Sequence, residues 1–170
     1  GGFGNEPAKV ELAREAAASV LEFLRERDLI GVITFDQEYR WLVPLTEASR
    51  RKEIEEKILQ LRAGGGTNMY PALHAAKEAL EPARAKVKHV IVLSDGQTDP
   101  GEFGTLVPEM SQKRITVTAV AIGNDADTRF MRQLAAWGRG RYYHARDPYS
   151  IPLILAAEAM VATKAYIVEE

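Results

Sequence analysis

The chain has no cysteine among its 170 residues. Disulfides, thiolate metal sites and a cysteine nucleophile are therefore excluded, while the redox compartment stays undecided. It has no block of charge of one sign: 22 Lys and Arg stand against 24 Asp and Glu, interspersed, for a net charge of −2. No basic run with interleaved aromatics occurs, so the electrostatic footprint of a nucleic-acid or anionic-membrane partner is missing. No apolar run reaches the roughly 18 residues needed to span a bilayer, and no secretory leader is visible. A membrane anchor, if the parent protein has one, is expected outside these residues. What is present is ordinary for a globular domain: 46% hydrophobic and 27% charged residues, enough at this length to bury a core without staples.

The patterning alternates between two periods. "AKVELAREAAASVLEFLRERD" carries Val10, Ala13, Ala17, Val20, Leu21 and Leu24 at helical spacing. "LIGVITFD" reads as a buried strand, and "YRWLVPLT", interrupted by Pro44, as an edge strand. A helix burying Ile54, Ile58 and Leu61 follows, then a glycine loop, then a helix from about Tyr70 with Leu73, Ala76, Ala79 and Leu80 inward. "VKHVIVLSDG" is the clearest strand; "EFGTLVPEMSQKR" reads as a helix whose register Pro108 blurs, and "ITVTAVAIG" as a second buried strand. "DTRFMRQLAAWGRG" is a helix stopped by Gly138 and Gly140, "RYYHA" a short strand and "YSIPLILAAEAMVATK" the last helix. We divide the chain into a flexible lead (1–8), one domain (9–164) and an exit strand or linker (165–170). Strands alternating with helices predict a doubly wound, mostly parallel α/β sheet with helices on both faces. Ligands of such sheets sit outside the carboxyl ends of the strands.

Two stretches fall at that edge. In "RAGGGTNMYPALHAAKEAL", Thr67 follows three glycines at the mouth of a helix. It is either an N-cap or an oxygen donor to a ligand. The phosphate-loop pattern fails, because no Lys precedes the Thr, and no strand leads directly into the glycines. Asp95 ends an apolar strand and precedes Gly96. It is either a turn or cap residue or an oxygen ligand for a hard cation. His74, His89 and His144 lack ligand spacing, and Ser94 has no nucleophile-elbow setting, which disfavours catalysis.

Together "IGVITFD", "GGGTN", "HVIVLSDG" and "ITVTAVAIG", in this order, resemble von Willebrand factor type A domains. "GRYYHARDPYSIPLI" and "AYIVEE" are similar to the bacterial members in membrane proteins linked to a glutamine-amidotransferase-like domain. The resemblance implies a Rossmann-like sheet and a metal-ion-dependent adhesion site that recruits a partner carboxylate through Mg²⁺ or Mn²⁺. It assigns Thr67 as a direct or near-direct ligand and Asp95 as a ligand acting through water. Asp36, Asn68, Asn124 and Asp125 become rim residues for a protein partner. The family's Asp-x-Ser-x-Ser strand has no counterpart in these 170 residues. Its position, between the equivalents of "LIGVITF" and "HVIVLS", is expected to be empty. Four explanations are open: an upstream segment outside this chain, which we favour; a strand exchanged with a second copy in a dimer; closure of the sheet; or occupation by "AYIV". The functional expectation is a non-enzymatic protein-interaction module, with a metal-free scaffold as the alternative and a metal-dependent phosphoryl-transfer or hydrolytic enzyme behind both.

Overall fold

The computed structural model describes residues 5–61 and 67–168. The elements run α1 (Asn5–Glu22), β1 (Leu29–Phe35), β2 (Tyr39–Glu47), α2 (Arg51–Ile58), α3 (Met69–Leu80), β3 (Lys88–Ser94), α4 (Phe103–Gln112), β4 (Ile115–Ile122), α5 (Thr128–Gly138), β5 (Arg139–Ala145) and α6 (Ile151–Val168), the last entered through a 3₁₀ turn at Pro148–Ser150. The chain is α/β, as the alternating periods predict. It forms two compact units: Gly1–Thr34, Arg40–Gly65 and Pro148–Glu170 in the first, Phe35–Tyr39 and Gly66–Asp147 in the second.

In the first unit, β1 and β2 pair as a two-stranded sheet. Only three residues join them, too few for a parallel crossover, so they form a hairpin. Leu21, Leu42, Val43, Ala48, Ile54 and Ile58 make its core, with Ala17, Leu24, Ile30, Val32 and Leu61 packed around. Pro44 points into solvent, consistent with its edge assignment. α1 packs against α2 and α6. Arg14 donates from Nη2 to the Leu61 carbonyl at 3.0 Å, which ties α1 to the turn after α2. That turn tightens to i→i+3 bonds at Gln60 and Leu61, so α2 is shorter than its apolar pattern suggests.

In the second unit, β4 pairs in parallel with β3 on one side and β5 on the other. Its alternate residues Ile115, Val117, Ala119 and Ala121 join a core with Met69 and Leu73 of α3, Phe103, Leu106, Val107 and Met110 of α4, and Met131, Leu134 and Ala135 of α5. Thr118 and Val120, on the opposite face, are also fully buried. A strand covered on both faces must be largely apolar, which is why "ITVTAVAI" carries no charged residue and only two threonines. Each large core side chain contributes about 1.5–3 kcal/mol by leaving water.

The register of β5 carries one extra residue between the pairs Val117–Arg139 and Ala119–Tyr142. This bulge turns the Arg141 N–H onto Thr118 Oγ1 at 3.1 Å, which satisfies a buried hydroxyl. Gly138 and Gly140 are what permit it: a Cβ on either would collide with Val117, at Gly140 with its carbonyl.

Several expectations are corrected. Asn5–Ala8 belong to α1, not to a flexible lead. Residues 165–168 continue α6 rather than leaving as a strand, so "AYIV" fills no place in a sheet; an 18-residue helix with Pro152 in its first turn keeps its hydrogen bonding internal. In α3 the fully buried positions are Met69, Ala72, Leu73 and Lys77, with Ala76, Ala79 and Leu80 only partly covered. Lys77 reaches Glu81 at 3.3 Å and Glu109 at 3.5 Å. Burial pulls its pKa down, but these two carboxylates outweigh that and raise it. Hydrogen bonds from Lys113 and Lys77 hold the Glu81 carboxyl below the usual range. Val10 and Ala13 lie outside the described side chains, and residues 1–4, 62–66 and 169–170 outside the described residues. Among the described residues, β3 pairs only with β4 and β1 only with β2. Each keeps one edge without a strand partner among the described residues.

Gly140→Ala is expected to destabilise the protein by about 2–3 kcal/mol in urea unfolding. Ala would recover at most about 1 kcal/mol through the unfolded chain. A backbone carbonyl, unlike a side-chain tip, cannot step aside.

Candidate partner-binding edge

Three loops of the second unit meet at the carboxyl end of its sheet. The first is the hairpin turn Asp36–Glu38, the second Thr67–Asn68 before α3, the third the segment from Asp95 to Asp99 after β3. They are held together mainly through backbone groups. The Asp36 carbonyl accepts from Thr67 N at 3.3 Å and Asn68 N at 2.8 Å, and from Thr67 Oγ1 at 3.2 Å. The Thr67 carbonyl accepts from Asp99 N at 2.6 Å and from Thr98 Oγ1 at 3.0 Å. Asn68 Nδ2 donates to the Gln37 carbonyl at 3.3 Å. A fourth loop, Gly123–Asp127, is tied in through Asp127 N donating to the Asp95 carbonyl at 2.7 Å and Gln97 Nε2 to the Asp125 carbonyl at 3.4 Å.

Thr67 does not cap α3. Asn68 holds the N-cap position without a side-chain cap bond. The free Met69 N–H is satisfied by Thr98 Oγ1 at 3.1 Å, from 29 residues further along the chain. The Thr67 hydroxyl spends its hydrogen on Asp36 and accepts no hydrogen bond among the described residues. Its lone pairs stay exposed.

Asp95 is not a helix cap either. Its Oδ1 accepts from Gln97 N at 2.8 Å in a local turn, and Oδ2 has no hydrogen bond among the described residues. Gly96, at φ +83°, lets the chain turn with its Cα against Asp127. Ser94 Oγ is buried and accepts from Gly96 N at 2.9 Å. His144 Nε2 is engaged with the Gly123 carbonyl at 2.7 Å, and His89 Nδ1 with Thr116 Oγ1 at 2.6 Å.

The structure thus brings Asp36, Thr67 and Asn68 together directly and links Asp95 and Asp125 to them through Thr98, Asp99 and Gln97. Asp36 uses Oδ1 for the Glu38 N–H at 3.0 Å. Asn124 is exposed and makes no hydrogen bond among the described residues. Sequence reasoning missed Thr98 and Asp127. Asp127 had a readable signal, since it precedes "TRFM" and accepts from Phe130 N at 3.1 Å as the α5 N-cap. Thr98 had none, because its partners are distant in sequence. The glycines 64–66 lie outside the described residues.

The four loops carry Asp36, Glu38, Asp95, Asp99, Asp125 and Asp127 and no Lys or Arg, so the edge favours a cation. The two unspent donors, a hydroxyl and a carboxylate oxygen, are hard ligands that suit Mg²⁺ or Mn²⁺ in kind. They do not suffice in number. Among the described residues no three His, Asp or Glu side chains group as a metal site, and Mg²⁺ gives up its waters reluctantly.

Comparison with known proteins bears on this edge. A family model described as von Willebrand factor type A domain matches residues 5–157. The Synechocystis protein sll0103 is 25% identical over 146 residues, covering 82% of this chain and 34% of its own length; this chain therefore spans about a third of that relative. The conserved hypothetical protein BatB from Bacteroides thetaiotaomicron superposes with a TM-score of 0.77 at 17% identity, over 91% of this chain and 88% of that one. Proximal thread matrix protein 1 from the mussel byssus, described with a zinc-occupied metal-ion-dependent adhesion site motif, superposes with a TM-score of 0.74 at 16% identity, over 91% and 43%. At these identities the two structures show the shared fold.

Thr98→Val removes the cap on Met69 N and the tie to the Thr67 carbonyl while keeping volume. It should cost about 1–3 kcal/mol in denaturant unfolding. Amide exchange at Met69 and Tyr70 should accelerate before exchange in β4.

Proposed function

The chain belongs to the von Willebrand factor type A family, and from that premise we propose that it is a non-catalytic protein-interaction module. It engages its partner at the carboxyl edge of the β3–β4–β5 sheet through a divalent cation held in part by Thr67 and Asp95. The observation that carries this reading is that each residue keeps acceptor capacity unused among the described residues: the Thr67 hydroxyl donates to the Asp36 carbonyl but accepts nothing, and Asp95 uses only Oδ1, in a local turn. Neither caps a helix, and each presents a hard oxygen from a loop fixed by backbone hydrogen bonds. Donors fixed in advance lose less freedom on binding than donors on mobile loops.

In this reading the cation supplies an open position for a carboxylate of the partner. Asp36, Asn68, Asn124 and Asp125 form the surrounding rim and select the partner by hydrogen bonding. The zinc-occupied motif of the mussel protein, which shares this fold, supports a metal in this reading. Thr67 and Asp95 leave most of the cation's coordination sphere to water or to further oxygen groups.

A metal-free scaffold is the second reading, favoured by the lack of a three-carboxylate group among the described residues. Enzymatic chemistry is disfavoured because Ser94 is buried and hydrogen-bonded and His89 and His144 are engaged elsewhere. No helix among the described residues is long and apolar enough to cross a membrane. Likeness to an aerotolerance-related membrane protein from Bacteroides fragilis supports a parent protein anchored in a bacterial membrane.

Calorimetric titration of Mg²⁺ and Mn²⁺ tests the reading, using this chain and a version carrying native residues upstream of Gly1. Weak or undetectable binding is expected for the chain and clear binding for the longer version. There, Thr67→Ala and Asp95→Asn should each weaken binding by about tenfold or more. No binding in either form, or binding indifferent to both substitutions, would leave the metal-free scaffold.

A further inference from the structure

A second feature lies at the opposite end of the same sheet, where β4 and β5 begin. Helices α4 and α5 both stop there, and the residue that turns the chain into the following strand is an arginine each time. Arg114 sits at φ +65° and Arg139 at φ +57°, the two left-handed non-glycine residues of the described chain. Arg114 N closes onto the Ser111 carbonyl at 2.9 Å, and Arg139 N onto those of Ala135 and Ala136. Glycine or asparagine fills this position with less strain, so local geometry alone does not explain an arginine at both.

Helix ends do favour positive charge. Yet neither guanidinium has a hydrogen bond or carboxylate partner among the described residues, and both are exposed. By contrast, the adjacent Lys113 is tied to Glu81. The two arginines line one open depression of about 330 Å³ together with Pro108, Ser111, Gln112 and Trp137. The Trp137 ring lies against α4 at Gly104, where a Cβ would sit 3.2 Å from it, so the indole is a fixed wall.

We propose that this depression is a second binding site, and that it takes an acidic peptide segment. The unpaired guanidinium forks suit carboxylates, which they can engage in paired hydrogen bonds. Trp137 and Pro108 provide an apolar surface for the rest of the segment. An open, shallow shape fits side chains carried on a peptide better than a free inorganic anion, which gains most from enclosure. Nucleic acid is disfavoured because the chain's basic residues are interspersed with acidic ones, for a net charge of −2, and form no continuous basic stripe. The site uses none of the residues at the carboxyl edge, so two partners can be held at once.

The test is fluorescence anisotropy with labelled hexaglutamate and hexaglutamine peptides, at low ionic strength and with EDTA present so that the carboxyl edge takes no part. Hexaglutamate should bind and hexaglutamine should not. Arg114→Gly and Arg139→Asn should each weaken hexaglutamate binding by about tenfold. Their thermal midpoints should equal or exceed the parent's, since both substitutes accept the left-handed backbone, so lost binding cannot be ascribed to unfolding. Arg114→Asn provides the same reading should the glycine variant loosen the turn. Equal binding of the two peptides, or variants that bind like the parent, would overturn the proposal. Competition by inorganic phosphate as effective as that of unlabelled hexaglutamate would overturn the assignment to a peptide.

Discussion

The burial of β4 on both faces is the constraint on which the second unit depends. Val117, Ala119, Val120 and Ala121 have no solvent exposure, and the strand is flanked by parallel partners on either side. Parallel strands require crossovers, so α4 and α5 must return the chain to the starting end of the sheet. Their loops then emerge at its finishing end. The same arrangement produces both candidate sites: the acidic loops where the strands finish, and the arginine pair where the returning helices finish.

The acidic edge illustrates how backbone groups fix side chains for a partner. The Asp36 carbonyl accepts three donors and the Thr67 carbonyl two. These bonds hold the loops without using Oδ2 of Asp95 or the lone pairs of the Thr67 hydroxyl. A fold that used those atoms as caps would be slightly more stable and would have nothing to offer a cation. The two donors are too few for tight binding of Mg²⁺.

Much of this was legible in the sequence, and what was not has identifiable causes. β3 and β4 were plain because both are largely apolar runs, although only β4 is buried on both faces. The α5 helix was plain from its span and its glycine stop, and the structure adds its buried face of Met131, Leu134, Ala135 and Gly138. The end of α6 was misjudged: "AYIV" has the composition of a strand, but a helix already under way adds one hydrogen bond for each further residue. Lys77 was invisible as a buried residue because its cover depends on Glu109 of another helix. Asp95 was expected at a strand end and lies directly after β3, whereas Thr67 lies between two helices; that Thr67 does not cap α3 was undecidable until Thr98 was found capping it from a distant loop. Tertiary capping leaves no local sequence signal.

The central claim is that Thr67 and Asp95 present oxygens to a cation at one edge of the sheet. Paramagnetic broadening of backbone amide signals by Mn²⁺ tests it most directly, because weak binding is enough and the position is read residue by residue. Our account predicts that Thr67, Asn68, Gln97 and Thr98 broaden first, and that Asp95→Asn abolishes the effect. Broadening centred elsewhere, such as at the Glu53 or Glu81 carboxylates, or none at this edge, would contradict it.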